Sequence, residues 1–217
     1  MKRVPISPKQ PKQWQHRLTS LILPGLGLLS GCQLPIDKSN QSNTCQFLSD
    51  NPYILQTIVA RSPHSSERSE LVNLITYESN HSTYARPVKT WLLEPYIPWT
   101  YYSSARSYAQ STEATWQDYI KVNGSQHNYR YSYYENTGFI QWYFNKNKQF
   151  ILNNKDAYYE SYFLYHDGPT GYYQNMLSRP KSLSQFARKY ANSVTQSTKQ
   201  LKQCKKQLAW QNQWITF

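Results

Sequence analysis

Apolar residues recur at helical spacing along much of this chain, and no other feature constrains its fold as strongly. Residues at i, i+3, i+4 and i+7 lie on one face of a helix and can enter a core together. The segments with this spacing are Tyr53–Ala60, Leu71–Tyr77, Trp116–Val122, Gly138–Leu152, Ala157–Tyr165 and Leu183–Leu208. Proline, glycine and asparagine separate them, and strand-like alternation is scarce outside the tyrosine-rich stretch Tyr129–Tyr134. The pattern therefore predicts a mainly α-helical domain.

The beginning of the chain has the pattern of a bacterial secretion signal. Five basic residues and no acidic residue precede the apolar stretch Leu18–Ser30. This stretch is too short to span a membrane, because a spanning helix needs about 20 apolar residues. We therefore predict that residues 1–31 are a signal peptide.

The segment Leu29-Ser30-Gly31-Cys32 resembles a lipobox, in which small residues precede a cysteine that is acylated and becomes the mature N-terminus. We predict that Cys32 is lipidated; an ordinary signal followed by a chance cysteine is the alternative. Gln33, and not an aspartate, follows Cys32. This pattern resembles that of Gram-negative lipoproteins sorted to the outer membrane. The polar residues 32–44 are expected to tether a domain at the periplasmic face, with a reach of at most roughly 40 Å.

The composition of the mature chain suits an anionic partner and a cleft with aromatic walls. The chain has 24 Lys and Arg against 12 Asp and Glu; without the five basic residues of the signal, the net charge is +7. In a secreted lipoprotein, acidic wall polymer or anionic lipid is expected before nucleic acid. The chain has 20 tyrosines and 7 tryptophans, and most of the tyrosines cluster between Tyr96 and Tyr173; aromatic faces stack on sugar rings. Solvated lysines and core aromatics are the alternatives.

The chain has three cysteines. If Cys32 is acylated, Cys45 and Cys204 remain as a pair, and in an oxidising compartment they are expected to form a disulfide. Two free buried thiols are the alternative. The residues between them suit one domain with one core. We therefore predict a domain over 45–207 and a C-terminal tail over 208–217.

Glu78 is the acidic residue that stands out. Leu71, Leu74 and Ile75 precede it at i−7, i−4 and i−3, so Glu78 ends an apolar helix face. A carboxyl group in such a place loses hydration, which raises its pKa and allows it to act as a general acid. The alternative is a glutamate at a frayed helix end that reaches out to water.

Four motifs follow one another between Cys45 and Cys204. They are Glu78-Ser79 with Tyr84-Ala85-Arg86-Pro87, Ser107-Tyr108-Ala109-Gln110, Leu164-Tyr165-His166-Asp167-Gly168, and the closing stretch Ala187–Cys204. In this order they resemble the SLT-domain lytic transglycosylases of the lysozyme-like superfamily, and within that family a Gram-negative lipoprotein subgroup. Ser107 stands where the family usually has glycine, and His166 where asparagine is commonest.

The resemblance implies a single lysozyme-like α-helical domain with a glycan cleft. It also implies cleavage of the β-1,4 bond between N-acetylmuramic acid and N-acetylglucosamine in peptidoglycan, leaving a 1,6-anhydro end. Glu78 would be the single general acid and base. The substrate-binding residues implied are Ser79, Tyr108, Gln110, Tyr165 and His166. The fourth motif would be structural, and no cofactor is implied.

Three other functions stay open on the sequence alone. The same fold could bind glycan without cleaving it, as a wall-binding or secretion-assembly lipoprotein. A lysozyme-type hydrolase would use water and usually a second carboxylate. The resemblance places no second acid opposite Glu78; we interpret Asp156 as a helix cap or turn residue and Asp167 as part of a turn. A basic nucleic-acid-binding protein is disfavoured by the signal, and the histidines show no metal-site spacing.

Overall fold

Seven α-helices build the part of the chain that the computed structural model describes, residues 35–87, 103–123, 129–151 and 156–213. They are α1 (Thr44–Asp50), α2 (Pro52–Arg61), α3 (Ser65–Ser79), α4 (Glu113–Asn123), α5 (Tyr133–Asn147), α6 (Ala157–Asn175) and α7 (Lys181–Gln213), with a 3-10 turn at Lys148–Phe150. The predicted α-helical class is confirmed, and these residues contain no strand, only an isolated bridge between Arg106 and Ser111. None of the helices described has the length and apolar character needed to cross a membrane.

Local sequence explains where several helices begin. The side chain of Asn43 accepts a hydrogen bond from the Gln46 amide at the start of α1. Pro52 occupies the first turn of α2, where its missing N–H costs nothing. Asp156 occupies the predicted N-cap position of α6, but its side chain makes no capping hydrogen bond. The Asn43 cap satisfies one of the backbone N–H groups that a helix leaves unpaired.

The strand-like prediction for Tyr129–Tyr134 is wrong. Ser132 caps α5 by accepting a hydrogen bond from the Glu135 amide, so Tyr133 already belongs to the helix. Asn136 then donates to the carbonyls of Arg130 and Ser132, at 2.8 and 2.7 Å. A tight turn held by these side chains outweighs the β preference of the tyrosines.

α3 and α7 form the centre of the domain. α3 packs against α2, α5 and α7, while α7 also packs against α1 and α6. Leu74 and Ile75 of α3 are completely buried, as are Tyr190 and Val194 of α7. The residues from Ile36 onward form one compact unit, with a core of its own.

The predicted disulfide between Cys45 and Cys204 is confirmed. The bond joins α1 to α7, with 6.2 Å between the two Cα atoms. α7 continues beyond Cys204 to Gln213, so the predicted start of the tail at residue 208 falls within this helix. The predicted signal peptide and Cys32 lie outside the described residues.

α6 is broken at Gly168, and the break shapes the site described below. Gly168 has φ of 69° and ψ of 170°, a backbone conformation that residues other than glycine rarely adopt. Pro169 follows and starts the second half of the helix with a fixed φ. The first half therefore ends at Asp167.

Candidate active site

A cleft of about 470 Å³ opens beside the C-terminal end of α3. Glu78, the next-to-last residue of α3, lies at its inner wall. The other walls come from the loop before α4, from the first turn of α4, from α5 and from the end of the first half of α6. Residues from these elements that line the cleft include Gln110, Ser111, Thr115, Phe139, Tyr143, Tyr165, His166 and Asp167.

The carboxyl group of Glu78 is shielded from water. The Glu78 side chain as a whole is partly exposed to solvent, but its Oε1 atom is buried and accepts no hydrogen bond from the residues described. Burial raises the pKa of Glu78 from 4.5 to about 7; the charge of His166 and the Tyr162 hydroxyl act in the opposite direction. Desolvation therefore outweighs both, and Glu78 can hold a proton near neutral pH.

α3 ends so that Glu78 remains at the edge of the core. Asn80 adopts the left-handed conformation, with φ of 49°, and its N–H donates to the Thr76 carbonyl. His81 also has a positive φ and turns back into the core, where its ring stacks on Tyr133. Burial lowers the pKa of His81 to about 3, so this histidine is neutral and structural.

The loop that carries Gln110 is held in a strained turn. Ser107 and Gln110 have φ of 68° and 45°. Gln110 Nε2 donates to the carbonyls of Ala85 and Ser107, at 2.9 and 2.6 Å. The Asn136 side chain accepts from the Ala109 amide at 3.0 Å. Gln110 thus lines the cleft and also fixes the backbone of its wall.

Ser107 occupies a position that suits glycine. Its φ is positive, a conformation that glycine adopts readily, and the side chain is completely buried. Its Oγ has no hydrogen-bond partner among the described residues. Ser107 therefore adds backbone strain and a buried hydroxyl with no partner among the described residues.

Tyr165 connects α6 to this loop. Its hydroxyl donates to the Ala109 carbonyl at 2.5 Å, and its ring packs edge-to-face on Tyr143 at 5.2 Å. Tyr143 in turn donates to the Leu164 carbonyl at 2.9 Å. The two tyrosines give the cleft a rigid aromatic wall next to Glu78.

His166 and Asp167 end the first half of α6 as a pair. Nδ1 of His166 lies 2.7 Å from Oδ1 of Asp167, and the Asn175 amide donates to Oδ2 at 3.2 Å. His166 is exposed toward the cleft, while Asp167 is largely buried. Asp167 therefore orients the histidine ring and brings a second carboxylate into the cleft.

Two predicted site residues do not line the cleft. Ser79 is buried, and its hydroxyl donates to the Ile75 carbonyl at 3.0 Å. Tyr108 is 2 % exposed; its hydroxyl accepts from Thr83 at 2.6 Å and its ring packs on Tyr133. The structure brings together Glu78 and the three other predicted residues, Gln110, Tyr165 and His166.

Sequence reasoning missed Tyr162 and the place of Asp167 in the cleft. Tyr162 lies four residues before His166, a spacing that puts both side chains on one helix face, so the signal was present. Asp167 was interpreted as a turn residue, but it ends a helix in the cleft wall. No group of three potential ligands in the described ranges could hold a metal ion.

A profile of the transglycosylase SLT domain matches residues 20–204. The chain belongs to the transglycosylase SLT family. Its α-helical domain is therefore lysozyme-like, and the family indicates a lytic transglycosylase, a lyase that acts on the glycan strands of peptidoglycan. Comparison with curated proteins and with solved structures found no match.

Proposed function

We propose that this SLT-family protein cleaves the β-1,4 bond between N-acetylmuramic acid and N-acetylglucosamine, with Glu78 as its single general acid and base. The observation that carries the proposal is a desolvated carboxyl group, with a pKa of about 7, at the wall of the cleft. An acid with this pKa is protonated and deprotonated with comparable ease near neutral pH, as a group that both gives and takes a proton requires.

In the first step Glu78 donates its proton to the oxygen of the glycosidic bond. The bond between this oxygen and the anomeric carbon breaks, and its electron pair leaves with N-acetylglucosamine. Positive charge develops at the anomeric carbon of the muramic residue, helped by the substrate's own N-acetyl group or by dipoles of the site. Glu78 is now a carboxylate, which the Tyr162 hydroxyl and the His166 charge stabilise.

In the second step the carboxylate of Glu78 takes the proton of the C6 hydroxyl in the same muramic residue. The C6 oxygen attacks the anomeric carbon and closes the 1,6-anhydro ring. Glu78 regains its proton, and no water is consumed. Attack within one sugar is favoured by proximity, so the protein need only hold the ring and exclude water.

The remaining predicted residues fit binding and support. Gln110 and Tyr165 keep the cleft wall rigid, and His166 can hydrogen bond to the N-acetyl group or to the glycan. Ser79 and Tyr108 do not line the cleft but support its wall, Ser79 at the end of α3 and Tyr108 in the strained loop. Both oxygens of Asp167 carry hydrogen bonds, so we assign it to orienting His166 and not to attack on the sugar.

We further propose that the protein is an outer-membrane lipoprotein that faces the periplasm, as in the lipoprotein subgroup. The lipobox at Cys32 and the following Gln33 support this proposal. The Cys45–Cys204 disulfide also supports export, because disulfides persist in oxidising compartments.

The test is digestion of purified peptidoglycan by the chain from Gln33 onward, beside Glu78→Gln, with products read by mass spectrometry. Anhydromuropeptides from the wild type alone are expected. Reducing ends would instead indicate a hydrolase, for which Asp167 is the available second carboxylate. A folded wild-type protein that binds sacculi and releases nothing would indicate the non-catalytic, wall-binding alternative.

A further inference from the structure

The outward face of α7 carries a line of positive charges. Its members are exposed side chains: Lys181, Arg188, Lys199, Lys202 and Lys206. At 100° per residue they fall within an arc of about 60°, and from first to last they extend about 37 Å along the helix. The opposite face of α7 is buried, so these charges form one continuous strip, which we call the α7 cationic stripe.

No acidic residue of α7 offsets the stripe. The helix contains neither Asp nor Glu from Lys181 to Gln213. Among the described residues, no ion pair involves a member of the stripe. Arg188 lies over the ring of Tyr159, 4.8 Å from its centre. A row of this length suits an extended anionic surface.

The contacts of the segment that leads into α1 indicate which anionic surface the stripe faces. Gln200 accepts from the Thr44 amide at 2.9 Å and donates to the Ser42 carbonyl at 3.4 Å. The disulfide then joins Cys45 to Cys204. The entering segment is thus fastened to the same stretch of α7 that carries the last three lysines of the stripe.

We propose that this end of the stripe, Lys199, Lys202 and Lys206, docks on an anionic phospholipid surface. The inference rests on the proposed acylation of Cys32. The ten residues from Cys32 to Ser42 reach at most about 35 Å, so a lipid on Cys32 limits the distance between the bilayer and this end of α7. A lipid anchor would keep the stripe near the bilayer. Each lysine at an anionic surface raises membrane partition roughly fivefold, so three raise it on the order of 100-fold.

Docking in this way leaves the active site accessible. α7 contributes no residue to the lining of the cleft, which is built from α3, α5, α6, the first turn of α4 and the loop before α4. A membrane on the outward face of α7 therefore does not compete with glycan. The stripe would hold the domain in one orientation, where the lipid anchor alone leaves it free to turn.

The test measures vesicle binding by the chain from Gln33 onward, which contains the whole compact unit and its disulfide but no lipid. The vesicles are phosphatidylethanolamine and phosphatidylglycerol in equal parts, with phosphatidylcholine as the neutral comparison. The variant Lys199→Gln/Lys202→Gln/Lys206→Gln is compared with Lys121→Gln/Lys146→Gln/Lys148→Gln, which removes the same charge from α4, α5 and the following turn. Circular dichroism checks that both are folded.

We expect salt-sensitive binding to the anionic vesicles only, a loss on the order of 100-fold in the stripe variant and little change in the control. Equal loss in both variants, or no binding by the wild type, would overturn the proposal. Stripe-dependent binding to sacculi without vesicle binding would also overturn it and assign the stripe to wall polymer. Peptidoglycan digestion by the same proteins is scored separately, so failure of the enzymatic proposal remains distinguishable.

Discussion

At the scale of single residues, the pKa of Glu78 is set by opposing effects. Burial raises it to about 7, whereas His166 and the Tyr162 hydroxyl favour the carboxylate. Activity that needs the protonated acid should therefore fall as pH rises through about 7. Tyr162 and His166 influence the pH at which this fall in activity, the alkaline limb of the pH profile, takes place.

Tyr162→Phe tests this balance. Removing a hydroxyl that favours the carboxylate should raise the pKa of Glu78 further and move the alkaline limb of kcat/KM to higher pH. The control is Tyr173→Phe, an exposed tyrosine on the same helix, which should leave the profile unchanged. A downward shift in Tyr162→Phe would contradict the assigned role.

Ser107→Gly should stabilise the protein by about 1 kcal/mol. Glycine adopts the φ of 68° without strain, and the substitution removes a buried hydroxyl that has no partner among the described residues. Ser107→Ala separates the two effects, because it removes the hydroxyl and retains the strain; it should gain less. Urea unfolding of the three proteins is the measurement, and a less stable glycine variant would refute the explanation.

At the scale of elements, the break in α6 brings His166 and Asp167 to the cleft. Gly168→Ala should lower stability by about 1–3 kcal/mol, because alanine is strained at φ of 69°. A clash is not the cause, since an added Cβ would meet only the Tyr143 hydroxyl, at 3.9 Å.

Activity of Gly168→Ala should also fall, because the wall that carries His166 would shift. Thr170→Ala is the matched control, an exposed position two residues later in the second half of α6, and it should unfold like the wild type. Thermal unfolding and the peptidoglycan digest measure the two effects. Equal stability of Gly168→Ala and wild type would show that the break tolerates other residues.

At the scale of the whole molecule, two buried carboxyl groups make stability depend on pH. Burial raises the pKa of Glu70 and Glu78 from 4.5 to about 7. The folded protein therefore binds protons more tightly than the unfolded chain. The stabilisation is complete below about pH 4.5 and is lost as pH rises through about 7.

Glu70→Gln and Glu78→Gln should each be more stable than the wild type at about pH 8, by up to about 3 kcal/mol, and show no such gain at about pH 4.5. Glu70 serves as the comparison because it lies two turns earlier on α3, accepts a hydrogen bond from Ser161 and does not line the cleft. Chemical unfolding at both pH values is the measurement. A gain that is larger at the lower pH would contradict the expected direction of this pH dependence.

The sequence alone determined the helices, the disulfide pair and the principal candidate acid. Apolar periodicity is local, so it identified six of the seven helices and placed Glu78 at the end of a buried face. The family's usual glycine at position 107 marked a place where the backbone has a positive φ, which the structure shows for Ser107. Tyr129–Tyr134 was misread because side-chain hydrogen bonds from Ser132 and Asn136 override strand preference there.

Only the tertiary structure decided which side chains meet in the cleft. Ser79 and Tyr108 follow the motif but turn into the core. Left-handed residues follow Ser79 and flank Tyr108, so the chain changes direction at both places. Tyr162 and Asp167 reach Glu78 and His166 through the packing of α6 on α7 and the break at Gly168. Helical periodicity defines a face and not its partner, and burial, which sets the pKa of Glu78, depends on all the elements that cover it.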